Sequence, residues 1–93
     1  MTKKAIEILS KNENGFFLIV EGSEIDWAGH SNDPVNMVGD ILAYDKAVKA
    51  ALDFAKTNKD TVVISAADHG TGGFTMGNYH TSGTYTKNKL GYY

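Results

Sequence analysis

The first apolar residues of the chain recur at the spacing of one helix face. They are Ala5, Ile6, Ile8 and Leu9. A period near 3.6 predicts a helix over about residues 3–12, with Thr2 as its N-cap. Asn14 and Gly15 then interrupt the pattern, as expected where a helix has ended.

Two short segments with apolar residues follow at different points of the chain: residues 16–20 are all apolar, and in residues 61–65 a threonine and a serine flank three apolar residues. Each is rich in residues that favour strands, and each is too short for a helix of ordinary length. An unbroken apolar run is typical of a strand buried on both faces, as in a parallel sheet. We therefore predict two buried strands.

The stretch between these runs contains one strong helix signal. Asp33 and Pro34 are a typical N-cap and first helical residue, and apolar positions at helical spacing continue to about Thr57. Residues 22–33 are mostly polar and contain Gly22, Gly29 and Asn32, so we expect mostly loop there, with at most a short helical turn.

The predicted order of helix, strand, helix and strand indicates an α/β fold. A strand, a helix and a second strand form a βαβ unit, for which right-handed parallel pairing is the strong default. Ninety-three residues suffice for one small domain. We expect residues 1–74 to be ordered. The pattern predicts no regular element in residues 75–93 and leaves disorder of this Gly-rich tail open.

Composition and charge exclude several classes of partner and site. Nine basic residues oppose 11 acidic residues for a net charge of -2, which gives no global reason to expect nucleic acid or an anionic membrane as partner. The longest apolar run is far below the roughly 20 residues of a membrane helix. Cysteine is absent, which excludes disulfides and thiolate ligands. The first residues lack the apolar core of a signal peptide.

Acidic and imidazole side chains follow both predicted strands. Glu21, Asp26 and His30 come after the first strand, and Asp68 and His69 come after the second. Parallel strands end at the same edge of a sheet, where α/β proteins bind their ligands. Carboxylates gathered there would repel one another unless a cation lay between them. Nitrogen and oxygen ligands without sulfur suit Zn²⁺, whereas carboxylate and water suit Mg²⁺.

Each of these residues also has a simpler explanation. Glu21 alone can cap a helix or loop, Asp26 and His30 can form a surface ion pair, and the pair 68–69 can form a capping turn. The joint pattern of five residues at one edge favours a metal site, although it does not indicate the reaction.

Three further features of the sequence bear on function. His80 lies in the Gly-rich tail, where a solvated loop histidine is the favoured interpretation. The run 70–73 lacks the Gly-Lys-Ser/Thr ending of a phosphate-binding P-loop. Trp27, which lies between two candidate ligands, can line a substrate mouth or shield the site, and the sequence favours neither.

Two segments of the sequence resemble signatures of the alkaline phosphatase family. Residues 20–30, VEGSEIDWAGH, resemble the segment V-E-G-x-x-I-D-x-x-x-H, and residues 67–73, ADHGTGG, resemble T-A-D-H-x-T-G-G. The opening residues and the intervening helix are also similar, so the resemblance extends over residues 1 to about 76. Trp27 is similar to the residue found at this position in some bacterial and marine members.

The resemblance implies a fold, a reaction and a set of roles. It implies part of a three-layer α/β/α sandwich that hydrolyses phosphate monoesters through a phosphoserine, in a periplasmic or secreted parent protein. Glu21 would bind magnesium, Asp26 and His30 would bind one zinc ion, and Asp68 and His69 would bind a second. Trp27 would contact substrate.

The sequence also departs from the family pattern. It contains no Asp-Ser-Ala motif for the nucleophile and no arginine for phosphate binding. Ala66 replaces the usual threonine, and the residues after His80 do not match those that follow the family's last zinc ligand. We therefore predict a fragment with no catalytic residue of its own and no activity in isolation.

Two alternative functions remain open from the sequence. One is a non-catalytic metal-binding or folding fragment, and the other is a related hydrolase such as a sulfatase or phosphodiesterase. A piece cut from a large sheet would also expose strand edges, which predicts a homo-oligomer.

Overall fold

The computed structural model describes residues 1–73, which contain three helices. These are α1, Thr2–Leu9; α2, Ser23–His30; and α3, Pro34–Thr57. Both α1 and α2 pack against α3. None of the helices in this part of the chain is long and apolar enough to cross a membrane.

The first predicted helix is confirmed, although its predicted cap is wrong. Thr2 is the first helical residue, and Met1 occupies the N-cap position without a side-chain hydrogen bond. Ile6 is buried at 7% exposure, and it lines the same small cavity as Ala50 and Phe54 of α3. The apolar face of α1 therefore packs on the long helix, as its spacing predicted.

The predicted start and end of α3 are both confirmed. One carboxylate oxygen of Asp33 accepts hydrogen bonds from the backbone N–H groups of Val35 and Asn36, at 3.0 and 3.1 Å. Pro34 is the first helical residue, where its missing N–H leaves no intrahelical bond unmade. The cap therefore fixes where α3 begins.

The expectation of mostly loop over residues 22–33 is wrong, because Ser23–His30 form a helix. Ala28 and Gly29 are buried, so this short helix is stabilised by packing against α3 rather than by strong intrinsic propensity. Asn32 then adopts a left-handed backbone with φ 49°. The N–H of Asp33 reaches back to the carbonyl of Ala28 at 2.9 Å, which ends α2 and turns the chain into α3.

The predicted α/β fold with a parallel βαβ unit, and with it the three-layer sandwich, is contradicted by the structure. No strand is present in residues 1–73. Within those residues, the backbone of 16–20 and of 62–66 makes no backbone–backbone hydrogen bond. A strand requires a neighbour about 4.8 Å away with which to pair. The apolar pattern therefore indicates where the two extended segments lie, but it does not show whether their backbones pair.

The first apolar segment (residues 16–20) and the second apolar segment (residues 61–65) instead line one groove of about 740 Å³, with Ile6, Val48 and Phe54 among the other lining residues. Burial along both segments alternates at first, with half-buried Phe16, Leu18, Thr61 and Val63 separated by exposed residues. Period-two burial is that of an extended chain with one side against α3. Phe16 contacts Phe54 with ring centroids 6.0 Å apart.

Candidate metal centre

The helix α2 places two of the predicted ligands on one face. Asp26 and His30 are four residues apart, one helical turn, and the Oδ2 of Asp26 lies 3.4 Å from the Nε2 of His30. The Asp26 side chain is 36% exposed and that of His30 is 70% exposed. This pair therefore forms at the rim of the packed helices, where a dissolved ion can reach it.

The loop after the second apolar segment brings His69 to the same carboxylate. The Nε2 of His69 lies 3.8 Å from the Oδ1 of Asp26, although the two residues are 43 positions apart in the sequence. Asp26 thus lies between two imidazoles, one on its own helix and one on the loop. The predicted convergence of these three residues occurs without a sheet.

Thr71 anchors this loop to α2. Its Oγ1 donates a hydrogen bond of 2.6 Å to the Oδ1 of Asp26 and lies 2.9 Å from the Nδ1 of His69. Thr71 is not among the site residues predicted from the sequence, although it lies within the second motif, residues 67–73. A hydroxyl two positions after a candidate ligand was the available signal, but only the folded loop shows that it reaches Asp26.

Two glycines make this close approach of loop and helix possible. Gly72 has a left-handed backbone with φ 72°, and a Cβ there would overlap the carbonyl oxygen of Gly29. A Cβ on Gly29 would in turn lie 3.2 Å from the Cβ of Thr71. Both positions need the small residue, because the loop backbone lies directly on the buried turn of α2.

The other predicted site residues lie farther from this centre or are less constrained. Asp68 is 91% exposed, with its Oδ2 3.6 Å from the Nε2 of His69, and its Oδ1 accepts a hydrogen bond from the N–H of His69 at 3.1 Å. Glu21 is exposed, and within residues 1–73 it makes no recorded hydrogen bond or ion pair. It does not cap α2, whose N-cap is Gly22. Trp27 is 64% exposed beside Asp26.

The spacing of the candidate donors suits a zinc ion pair by pair, but the described residues do not form a complete coordination shell. Neighbouring ligands on a tetrahedral zinc with bonds of about 2.05 Å are about 3.3 Å apart, close to the 3.4 Å between Asp26 and His30. Across the described residues, however, no group of three or more His, Cys, Asp or Glu side chains is arranged to hold a metal ion. His80 and the tail of residues 75–93 lie outside the described part.

The sequence matches one protein family along nearly its whole length. The family described as Alkaline phosphatase matches residues 1–90. The chain is 54% identical over 77 residues to Alkaline phosphatase 4 of Bacillus subtilis strain 168, which covers 83% of this chain and 17% of that protein. It is also 54% identical over 69 residues to the alkaline phosphatase of Escherichia coli K12, covering 74% of this chain and 15% of that protein.

The chain spans about one-sixth of the length of these relatives. No solved structure matches it. The family match extends over 90 of the 93 residues and includes both segments that meet at Asp26. The chain belongs to the alkaline phosphatase family.

Proposed function

We propose that this chain is part of a phosphomonoesterase that uses zinc and magnesium, and that it supplies ligands from two segments. The observation that carries the proposal is the position of Asp26, whose two carboxylate oxygens lie 3.4 and 3.8 Å from the imidazoles of His30 and His69. A carboxylate between two imidazoles, at the surface and without cysteine nearby, suits zinc chemistry.

The roles proposed for the individual residues are those that the family resemblance implies, and the proximity of Asp26, His30 and His69 supports them. Asp26 and His30 would hold one zinc ion, and Asp68 and His69 would hold a second. Glu21 would be a magnesium ligand, since a lone exposed carboxylate suits a hard cation that keeps several waters. The exposed indole of Trp27 would border the approach of the substrate.

When bound, paired metal ions supply Lewis acidity and charge neutralisation for a phosphoryl group. The chain's own side chains hold and orient the donors. Asp26 contributes negative charge and accepts a hydrogen bond from Thr71, while the helical turn of α2 sets the spacing of Asp26 and His30. In the proposed reaction through a phosphoserine, the nucleophile and the phosphate-binding cation would come from other parts of the protein, because this sequence contains neither the Asp-Ser-Ala motif nor an arginine.

Zinc titration of the 93-residue chain by calorimetry tests the ligand assignment. We expect Asp26→Asn and His30→Gln each to weaken zinc binding at least about tenfold, since each removes one donor of a pair. Asp60→Asn is the matched control, because Asp60 is an exposed carboxylate remote from α2 in the sequence. Equal zinc affinity in all four proteins would contradict the assignment.

Substrate preference tests the reaction. The full-length protein should hydrolyse 4-nitrophenyl phosphate in preference to bis(4-nitrophenyl) phosphate and 4-nitrophenyl sulfate, and the 93-residue chain alone should show no metal-dependent turnover. Preference for the diester or the sulfate would favour the phosphodiesterase or sulfatase alternative. Zinc binding by a full-length protein that hydrolyses none of the three would favour a binding module.

A further inference from the structure

The hydroxyl of Thr71 makes two hydrogen bonds that constrain each other. It lies 2.6 Å from the Oδ1 of Asp26 and 2.9 Å from the Nδ1 of His69. A carboxylate only accepts hydrogen bonds, so the single hydroxyl proton must point to Asp26. The contact with His69 can then be a hydrogen bond only if the Nδ1 carries a proton and donates it to the Thr71 oxygen.

The same proton count gives the protonation state of Nε2, the other nitrogen of the His69 ring. A neutral imidazole carries one proton, and with Nδ1 protonated its Nε2 has a free lone pair. That nitrogen faces the carboxylates of Asp26 and Asp68, at 3.8 and 3.6 Å. Its lone pair is therefore available to a cation that binds beside these carboxylates.

We propose that Thr71 is a positioning residue that holds His69 in the Nδ1–H tautomer and thereby presents the Nε2 as a ligand. The ring nitrogen opposite a metal-binding nitrogen commonly donates to an oxygen that fixes the ring, and here that oxygen belongs to a threonine. The ligand part of this inference rests on the proposed function, whereas the tautomer does not.

The same hydroxyl joins the two proposed ligand pairs. Asp26 belongs to the pair on α2, and His69 belongs to the pair on the loop. Because one oxygen bonds to both residues, a displacement of the loop changes the support of both. The close contact of Gly72 with Gly29 holds that oxygen in place, so the positions of the two pairs are not independent.

The tautomer is measured on the metal-free chain labelled with ¹⁵N-histidine. At about pH 9, well above the usual histidine pKa, long-range ¹H–¹⁵N spectra distinguish a protonated from a bare ring nitrogen. We expect a protonated Nδ1 on His69 in the parent chain and in Thr71→Ser. Thr71→Val, of nearly equal size but without the hydroxyl, should lose that state. His30 is the internal control, since Thr71 makes no recorded contact with it.

Zinc titration of the same three proteins completes the test. We expect Thr71→Val to bind zinc about 10- to 100-fold more weakly, as other removals of a ligand's supporting partner do, and Thr71→Ser to bind within about threefold of the parent. A His69 ring protonated on Nε2 in the parent chain would overturn the inference. So would a tautomer or a zinc affinity that Thr71→Val leaves unchanged.

These measurements also separate this inference from the proposed function. If the parent chain shows the Nδ1–H tautomer, loses it in Thr71→Val and yet binds no zinc, the hydrogen-bond assignment stands and the metal assignment fails. If zinc binds at Asp26 and His30 but Thr71→Val changes neither measurement, the metal assignment stands and the role of Thr71 fails.

Discussion

The two ends of α3 carry regions of different character. Near its start, the loop of residues 68–73 lies on α2 through a hydrogen bond, an ion-pair contact and a glycine–glycine approach. Towards its end, the two apolar segments lie beside the helix with no backbone pairing within the described residues and with Phe17, Val62 and Ile64 at least 84% exposed.

The surroundings of Asp26 and the two apolar segments therefore differ in how completely they are packed. Within the described residues, the contacts around Asp26 join α2 to the loop of residues 68–73 of the same chain. The apolar segments expose side chains that water disfavours, and residues 1–73 contain no large side chain that is completely buried. The chain thus holds its candidate ligands together more completely than it builds a core.

Replacing Gly72 should disturb the well-packed region most. In Gly72→Ala, the left-handed backbone and the overlap with the carbonyl of Gly29 should together destabilise the docked loop by about 3 kcal/mol. The His69 ring should lose its Nδ1–H state in the ¹⁵N spectrum, and zinc affinity should fall with it.

Two other glycines of the same loop supply matched controls. Gly73 has φ 64°, and no atom of residues 1–73 lies within 4 Å of its Cβ position, so Gly73→Ala tests the backbone strain and should cost about 1 kcal/mol. Gly70 has no positive φ and no atom of the described part of the chain within 4 Å of its Cβ position, and Gly70→Ala should be close to neutral. Equal effects at all three positions would show that the contact with Gly29 does not hold the loop.

Substitutions in the exposed apolar segments should change the self-association of the chain rather than its stability. We expect the chain to self-associate through them, and Val62→Thr with Ile64→Thr should shift sedimentation towards monomer while changing the free energy of unfolding by less than about 0.5 kcal/mol. The half-buried Val63 supplies the contrast. Val63→Thr should destabilise the chain, because its hydroxyl would face α3. A chain that is monomeric at millimolar concentration would contradict the expectation.

We expect the smallest effect on stability from a substitution on the exposed surface of α3, at Asp53. A hydrogen bond from the Lys49 ammonium, with further contributions from Lys49 and Lys56, lowers the pKa of Asp53. Because the pKa is lower in the folded chain, this stabilisation is present above the ordinary carboxyl pKa of about 4 and is lost as the pH falls through the lowered value.

Asp53→Asn should therefore remove a small loss of helicity that the parent chain shows as the pH falls below the ordinary carboxyl pKa of about 4, measured by circular dichroism. Asp60→Asn is the control, since its carboxylate makes no recorded ion pair in the described part of the chain. A variant that retains the acid-dependent change of the parent chain would rule out Asp53 as its source.

The sequence by itself determined α1, the start and end of α3, and the positions of the two apolar segments. These features depend on local chemistry, namely helical spacing, an Asp cap before proline, and short apolar runs. The sequence also determined the family through its two motifs. The helix α2 was missed because its polar, glycine-containing sequence has weak helical propensity, and packing of Ala28 and Gly29 stabilises it.

Only the tertiary structure decided how these elements are arranged relative to one another. Strand pairing needs a neighbouring backbone, and the described residues place none beside either apolar segment, so the sheet expected from the pattern is absent there. The meeting of Asp26, His69 and Thr71 depends on the left-handed turn at Gly72 and on the buried Gly29. Contacts between residues more than 40 positions apart have no local signal, because they form only when the packed helices bring the two segments together.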